Sequence, residues 1–201
     1  MFGKPTAMKR QKDIFIHETA VVDEPIELGE GTKVWHFTHV MSNAKIGKGC
    51  SLGQNVFVAS KVTLGNNVKV QNNVSIYEGV ICEDDVFLGP SMVFTNVINP
   101  RAHVVRKEEY KATLVRRGVT IGANATIVCG VELGEFSFVG AGSTVTKDVK
   151  PFQMVYGCPA THKGWVSRLG HRLDLDQIGD EAKCPQGTEM YKLTRKGLIV
   201  L

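Results

Sequence analysis

A carboxylate and an amide stand 18 residues apart in this sequence, and a basic segment follows them. Glu78 precedes Asn96 by 18 residues, and residues 100–114 contain Arg101 and Arg106. Carboxylate and amide oxygens can accept hydrogen bonds from a polar ligand, whereas guanidinium groups suit phosphates. The spacing and the charges therefore indicate a site for a phosphate-bearing ligand. The alternative is that all of these side chains are solvated surface.

The elements that would position these residues come from a six-residue repeat. An aliphatic residue recurs at every sixth position from Ile16 to Val145, with one interruption. Only at Cys82 and Phe94 does another apolar residue take the place of the aliphatic one. A fixed short period predicts a solenoid in which each rung buries its apolar edge against its neighbours. The aliphatic positions are Ile16, Val22, Leu28, Val34, Val40, Ile46, Leu52, Val58, Leu64, Val70, Ile76, Leu88, Val115, Ile121, Ile127, Leu133, Val139 and Val145.

Strand geometry converts this repeat into a triangular column. Six residues supply a short strand and a corner, and Gly or Asn recurs where a corner needs a positive φ angle. Three such edges close one coil of 18 residues, so the repeat predicts between six and seven coils, about 32 Å in height.

The single interruption predicts a loop. Phe94 and Val115 lie 21 residues apart, so about 15 residues, Pro100 to Leu114, leave the column before the repeat resumes in phase. Long excursions from a regular solenoid are commonly functional. Because residues 18 apart should stack, the register places Glu78 beside Asn96 at the root of the loop. It predicts one ladder of Ser42, Ser60, Glu78, Asn96 and Cys129, and a second of His36, Gln54, Asn72 and Pro90.

Composition excludes several classes of protein. The net charge of +4 over 201 residues is too small and too evenly spread to indicate nucleic-acid binding. No apolar run approaches the length of a membrane span, and residues 1–13 lack the apolar stretch of a signal peptide, so a cytoplasmic protein is expected. The five cysteines form no CxxC pair and the histidine spacing supplies no zinc ligand set, so no metal site is expected.

Several stretches resemble a known enzyme family. These are VWHFTHV (34–40), SLGQNVFV (51–58), VQNNVSIYEGV (70–80), EDDVFLGPSMVFTNVINPR (83–101), TLVRRGVTIGANATIVCG (113–130) and FVGAGSTVTKDV (138–149). They are similar to the hexapeptide-repeat nucleotide-sugar N-acetyltransferases, especially those that make UDP-2,3-diacetamido-2,3-dideoxyglucuronic acid for bacterial surface polysaccharides such as O-antigen. The resemblance implies an all-β fold, a left-handed parallel β-helix of hexapeptide repeats with one long loop and a small C-terminal extension.

The resemblance also implies roles for individual residues. It implies a homotrimer in which acetyl-CoA and a UDP- or dTDP-linked amino sugar meet between subunits. Asn96, in the motif FTNV, matches the residue that holds the sugar amine, a catalytic role in orientation and not as a base, because an amide takes no proton at neutral pH. The expected substrate contacts are Glu78, Arg101, His36, His39, Asn72 and Tyr77. Glu78 could instead be solvated, and His36 or His39 could act as a base or be structural.

Acetyl-CoA contacts are expected on the last coils. Small residues there would let the pantetheine arm approach backbone groups, although Gly122 and Gly140 could equally be ordinary corner glycines. The expected contacts on these coils are Gly122, Ala123, Gly140, Ala141 and Lys147, and the resemblance of the closing turn to that of the family adds Pro159.

Three regions follow from these patterns. Residues 1–15 form an N-terminal arm, residues 16–150 the β-helix, and residues 151–201 an extension. We expect this extension to contain a closing turn, a short capping helix from Thr161 to Arg172, a turn at CPQG and a hairpin around Thr194 to Gly197.

The expected activity is acetyl-CoA-dependent transfer to the C3 amine of UDP-2-acetamido-3-amino-2,3-dideoxy-D-glucuronic acid. One alternative is a dTDP-3-amino-3,6-dideoxyhexose N-acetyltransferase. Others are a sugar O-acetyltransferase, which would want a histidine in the cleft, and a non-catalytic β-helix adaptor or metal-dependent relative.

Overall fold

The structure is a computed structural model that describes residues 13–201. Most of the predicted N-terminal arm, residues 1–15, lies outside the described residues, and the first strand already begins at Phe15. From there to residue 145, two- or three-residue strands alternate with corners, as the repeat predicts. The first ten are β1 (Phe15–Ile16), β2 (Val21–Val22), β3 (Glu27–Leu28), β4 (Lys33–Val34), β5 (His39–Val40), β6 (Lys45–Ile46), β7 (Ser51–Leu52), β8 (Phe57–Val58), β9 (Thr63–Leu64) and β10 (Lys69–Val70).

The second half of the column continues the same pattern around one loop. The loop carries one turn of 3-10 helix, Lys107–Glu109. The strands are β11 (Ser75–Ile76), β12 (Val80–Cys82), β13 (Phe87–Leu88), β14 (Val93–Phe94), β15 (Thr113–Val115), β16 (Thr120–Ile121), β17 (Thr126–Ile127), β18 (Glu132–Leu133), β19 (Phe138–Val139) and β20 (Thr144–Val145).

Every third strand joins the same parallel sheet, which makes the column a three-sided prism. Sheet A contains β1, β4, β7, β10, β13, β16 and β19, sheet B contains β2, β5, β8, β11, β14, β17 and β20, and sheet C contains β3, β6, β9, β12, β15 and β18. Paired residues lie 18 apart, as in Phe15 with Lys33. Across the loop, Cys82 pairs with Val115, 33 residues apart, so the 15 extra residues leave the register intact.

The core fills the interior of the prism. The aliphatic positions from Val34 onward are buried in one cluster with most of the residues four places after them, and Thr38, Ser137 and Ser143 at such positions are buried as well. At the corners, Asn43, Asn55, Asn67, Asn73 and Asn124 adopt φ angles of 56–63°, which is the conformation predicted for them.

The C-terminal extension begins with two longer strands that continue sheet A. Strand β21 (Gln153–Gly157) pairs with β19, β22 (Ala160–Val166) returns antiparallel to it, and β23 (Arg172–Leu173) follows. The helix predicted from Thr161 to Arg172 is therefore wrong: the first half of that segment belongs to β22, because the backbone of β21 offers an open sheet edge to pair with.

The chain ends in a small antiparallel sheet. It consists of β24 (Glu181–Lys183), β25 (Met190–Thr194) and β26 (Gly197–Val200), and Thr194 pairs with Gly197 in the predicted hairpin. A second hydrophobic cluster, which includes Phe152, Trp165 and Tyr191, packs this sheet onto the top of the column. Within residues 13–201, no helix has the length and apolar character needed to cross a membrane.

Candidate active site

Two corners of the prism carry the residues singled out from the sequence. The BC corner joins sheet B strands to sheet C strands, and the AB corner joins sheet A strands to sheet B strands. The strand register stacks residues 18 apart, except across the loop. The BC corner stacks Ser42, Ser60, Glu78, Asn96, Cys129 and Lys147. The AB corner stacks His36, Gln54, Asn72, Pro90, Ala123 and Ala141.

Asn96 is half-buried on the BC corner, at the point where the loop begins. Its carbonyl oxygen accepts a hydrogen bond from the backbone N–H of Lys111 at 2.9 Å, which closes the loop onto its own starting residue. The hydroxyl of neighbouring Thr95 accepts a hydrogen bond from the backbone N–H of Cys129 at 3.0 Å. The backbone around Asn96 is therefore fixed on both sides, and this leaves its side-chain amide free to orient a ligand.

Glu78 lies one coil below Asn96, as predicted, but its carboxylate has a partner. Lys61 Nζ donates to Glu78 Oε1 at 2.8 Å, and this hydrogen bond and the carboxylate charge raise the pKa of Lys61. Both side chains are substantially exposed, so the pair contributes little to stability. The corner thus offers a neutral amide beside an already paired carboxylate.

The loop spans residues 95–112, because Thr113 and Leu114 already belong to β15; the predicted end at Leu114 is two residues too late. Arg106 is less exposed than Arg101, and its Nη1 donates to both carboxylate oxygens of Glu109, at 2.7 and 3.0 Å. Arg101 is exposed, and its hydrogen bond goes to the carbonyl oxygen of Pro100 at 3.4 Å. Arg101 is therefore the more available of the two predicted phosphate contacts.

The two arginines just beyond the loop belong to ion pairs. Arg116 bridges Glu83 and Glu132, and Arg117 pairs with Asp85. These contacts hold the corner between sheets C and A, away from Asn96.

The two predicted histidines lie low on the column. His36 stacks on His17 with ring centroids 3.5 Å apart, and His39 Nε2 lies 2.9 Å from a carboxylate oxygen of Asp23. His39 is three coils below Asn96, about 14 Å along the axis. Neither ring can reach a ligand atom held by Asn96 of the same chain.

A row of rings connects His39 with Tyr77 on the outer face of sheet B. The ring of Phe57 lies 5.9 Å from both neighbours, and Tyr77 is exposed at the end of β11, next to Glu78. Tyr77 is thus beside the BC corner, whereas Asn72 is on the AB corner, where its Oδ1 accepts a hydrogen bond from the backbone N–H of Gln54 at 2.9 Å.

The expected acetyl-CoA residues divide between the two corners. Gly122, Ala123, Gly140 and Ala141 lie on the AB corner, Lys147 on the BC corner, and Pro159 in the turn between β21 and β22. A Cβ atom at Gly140 would lie 2.7 Å from Cβ of Tyr156, and one at Gly122 would clash with the backbone of Ala141. The close stacking of successive coils is therefore sufficient to explain both glycines. Ala141, in contrast, is exposed and accessible to a ligand.

The structure adds Thr95 and Lys111 to the residues that shape this site. Lys111 lies along the BC corner, with its Cδ 3.1 Å from the position of a Cβ at Gly130. Thr95 could have been found from its place beside Asn96. Lys111 is one of several loop cations, and nothing in its spacing distinguishes it.

Within residues 13–201, no group of three His, Cys, Asp or Glu side chains is arranged to hold a metal ion. The chemistry available at the BC corner is therefore that of an amide, a paired carboxylate, exposed lysines and backbone donors.

Two sequence families match the repeats. The profile described as bacterial transferase hexapeptide (six repeats) matches residues 25–60 and 112–147, and the hexapeptide repeat of succinyl-transferase matches residues 43–78. The unmatched residues between these segments, 79–111, include most of the loop.

Relatives extend this similarity over most of the chain. The dTDP-3-amino-3,6-dideoxy-alpha-D-galactopyranose 3-N-acetyltransferase of Aneurinibacillus thermoaerophilus is 41% identical over 89% of this chain and 90% of its own. A galactoside acetyltransferase solved in complex with coenzyme A superposes with a TM-score of 0.56 at 24% identity, covering 66% of this chain and 68% of that one. The polySia-specific acetyltransferase NeuO gives a TM-score of 0.52 at 16% identity, covering 75% and 74%.

These two solved structures show the fold alone, whereas the 41% identity extends from the first coil into the C-terminal extension. The hexapeptide repeats make the column a left-handed β-helix. The chain belongs to the hexapeptide-repeat nucleotide-sugar N-acetyltransferases, a family of acyltransferases.

Proposed function

We propose that this protein transfers the acetyl group of acetyl-CoA to the C3 amine of a nucleotide-linked amino sugar. The observation that carries the proposal is the position of Asn96, half-buried where the loop leaves the BC corner. The 41% identical relative, named as a sugar 3-N-acetyltransferase, supports the same reaction. The product would supply the synthesis of bacterial surface polysaccharide.

The proposed chemistry assigns Asn96 an orienting role. Its side-chain oxygen accepts a hydrogen bond from the amine, which directs the nitrogen lone pair at the thioester carbonyl. The C–N bond forms, backbone N–H groups stabilise the oxyanion, and the C–S bond then breaks. The departing thiolate takes the proton that the nitrogen loses. No histidine is needed in this mechanism. The stacked positions Ser42, Ser60, Glu78, Asn96, Cys129 and Lys147 contain none, and the loop contains one, His103.

The two corners indicate how the site is assembled. Ala141 on the AB corner and Lys147 on the BC corner lie at opposite edges of sheet B, about 15–20 Å apart in one chain. We propose that the pantetheine arm follows the AB corner of one chain while Asn96 of a neighbouring chain meets the thioester. The proposed site therefore lies between copies of the chain, in a homotrimer with acetyl-CoA held near Ala123, Ala141, Lys147 and Pro159.

For the sugar nucleotide, we propose a dTDP-linked 3-amino-3,6-dideoxyhexose as the substrate, because the 41% identical relative is named for such a compound. The second candidate is UDP-2-acetamido-3-amino-2,3-dideoxyglucuronic acid. The exposed Arg101 favours it, since a guanidinium could pair with its uronate carboxylate. In either case Arg101 is available for the diphosphate. Sugar O-acetylation is disfavoured, because an alcohol would need a base on the BC corner.

The deciding experiment is acetyl transfer from acetyl-CoA to both 3-amino sugar nucleotides, followed by release of CoA thiol. We expect the dTDP-linked sugar to give the higher kcat/KM. An Arg101→Ala variant should raise the KM for either sugar nucleotide, while Arg106→Ala, which loses only the pair with Glu109, is the matched control. Acetylation of neither amine would overturn the proposed function, and preference for the uronate would overturn the dTDP assignment.

A further inference from the structure

The C-terminal extension contains a cavity that the acetylation site does not use. Its volume is about 730 Å³, within the range of small-molecule sites, and its walls come from residue 150, β22, residues 172–178 and the β25–β26 hairpin. Trp165 and Leu193, both buried, line it, together with several charged side chains. None of the residues proposed to bind acetyl-CoA or the amino sugar lies in this lining.

His162, which lines the cavity, has a ring whose tautomer is set by a neighbouring side chain. The side-chain oxygen of Gln153 accepts the backbone N–H of Lys150 at 2.8 Å, so its amide nitrogen faces His162 and donates to Nδ1 at 3.0 Å. A neutral His162 ring must then carry its proton on Nε2. Burial and the charge of Lys150 lower the pKa of His162, which favours the neutral ring. Nε2–H of His162 and the ammonium of Lys150 are thus two donors among the residues that line the cavity.

Further cations line the cavity. The guanidinium of Arg172 lies next to Gly164, where a Cβ would be 3.7 Å from Nε and 3.9 Å from Nη2 of Arg172. Arg195, in the turn between β25 and β26, also lines the cavity. Among residues 13–201, Lys150, Arg172 and Arg195 form no ion pair. Lys163 also lines the cavity, but its ammonium lies over the ring of Tyr156 at 5.3 Å.

The cavity is lined by carboxylates as well as by cations. Asp174 and Asp176, both exposed, line it between Leu173 and Ile178. An inorganic anion would gain nothing from these carboxylates, whereas the hydroxyl groups of a sugar can donate hydrogen bonds to them. Guanidinium and ammonium groups suit a phosphate.

We propose that this cavity binds a phosphorylated sugar, with its phosphate against Lys150, His162, Arg172 and Arg195 and its hydroxyl groups against Asp174 and Asp176. The site is separate from acetyl transfer, since Asn96 and the BC corner do not contribute to its lining. A sugar phosphate could therefore occupy it whether or not the proposed reaction takes place.

The test uses the fluorescence of Trp165 in the full-length chain. The sequence contains two tryptophans, so a Trp35→Phe background leaves Trp165 as the only one. Glucose 1-phosphate and inorganic phosphate are titrated separately, without acetyl-CoA or amino sugar, and isothermal calorimetry gives each Kd. We expect a saturable signal, with glucose 1-phosphate at least about tenfold tighter than phosphate.

Two variants separate the site from general charge effects. Arg172→Gln should raise the Kd for glucose 1-phosphate roughly tenfold or more. Lys196→Gln, which removes an exposed cation next to Arg195 but outside the cavity, should leave it unchanged. A melting curve verifies that both variants remain folded. Absence of saturation, equal affinity for the two probes, or unchanged binding in a folded Arg172→Gln protein would each overturn the proposal. Because no acetyl transfer is measured, its failure would leave the proposed function untouched.

Discussion

The backbone carbonyl of Asn96 accepts the N–H of Lys111 at 2.9 Å, so one residue both opens the loop and holds its far end. This bond uses main-chain atoms only. The side chain of Asn96 can therefore be changed while the loop stays closed, which separates its proposed chemical role from its structural one.

Truncation of Asn96 tests the orienting role. Asn96→Ala should lower kcat/KM for the sugar nucleotide by roughly 10- to 1000-fold, about 1.4–4 kcal/mol, because the amine loses the group that directs its lone pair. Steady-state kinetics and a melting curve provide the measurement. Ser60→Ala, on the same ladder but two coils lower, is the control. Full activity in a folded Asn96→Ala protein would refute the role.

A mixing experiment tests whether the site is shared between copies. Ala141→Trp should block the pantetheine arm on the AB corner, and Asn96→Ala disables the BC corner. If each site takes one corner from each of two chains, co-refolding the two inactive variants in equal amounts should restore about one quarter of the sites. Each variant refolded alone is the control. Sedimentation should give a trimer, and a lack of any recovered activity in mixed trimers would argue for sites within single chains.

Stability at alkaline pH should depend on Tyr191. Burial and its hydrogen bond to Glu189 raise the pKa of Tyr191 from 10.0 to about 12. The folded state therefore favours the neutral phenol, and this contribution is complete below pH 10 and disappears as the pH rises through 12. The difference in free energy of unfolding between wild type and Tyr191→Phe should be constant from pH 7 to 9 and fall above pH 10. Urea unfolding at each pH provides the measurement, and a pH-independent difference would contradict this account.

Coil stacking should be sensitive to a single methyl group at Gly89. A Cβ there would lie 2.7 Å from the backbone nitrogen of Ala123 in the next coil. Because that neighbour is backbone and cannot rotate away, Gly89→Ala should lower the free energy of unfolding by about 1–3 kcal/mol. Pro90→Ala, at the adjacent exposed position, should change it far less. Equal stability of the two variants would show that the coils can separate at little cost.

The regular part of this molecule is predictable because each coil repeats the same contacts. Spacing alone places Glu78 under Asn96 and locates the loop, and the pairing of Ser75 with Val93 confirms that register. Side-chain partners do not follow from spacing. In the sequence, nothing distinguishes Lys61 from the other residues of its corner. Only the structure shows that its ammonium reaches the carboxylate of Glu78.

Predictability ends where the repeat ends. Thr161 to Arg172 has a polar composition compatible with a helix, but β21 presents an unpaired edge directly above sheet A, and that edge selects a strand for Ala160–Val166. The loop shows the same principle. Arg106 and Arg101 look equivalent in sequence, yet the turn of 3-10 helix brings Glu109 within reach of the first and not the second.

Cys82 pairs with Val115 across the loop, so the strands on either side keep the register of the other coils. The packing of the hydrophobic core is therefore independent of the number of residues in the loop. Sequences of other lengths could be grafted between Asn96 and Lys111 without redesign of a single buried side chain. Natural variation and laboratory libraries can therefore explore new acceptors in this segment while the column below and above it stays the same.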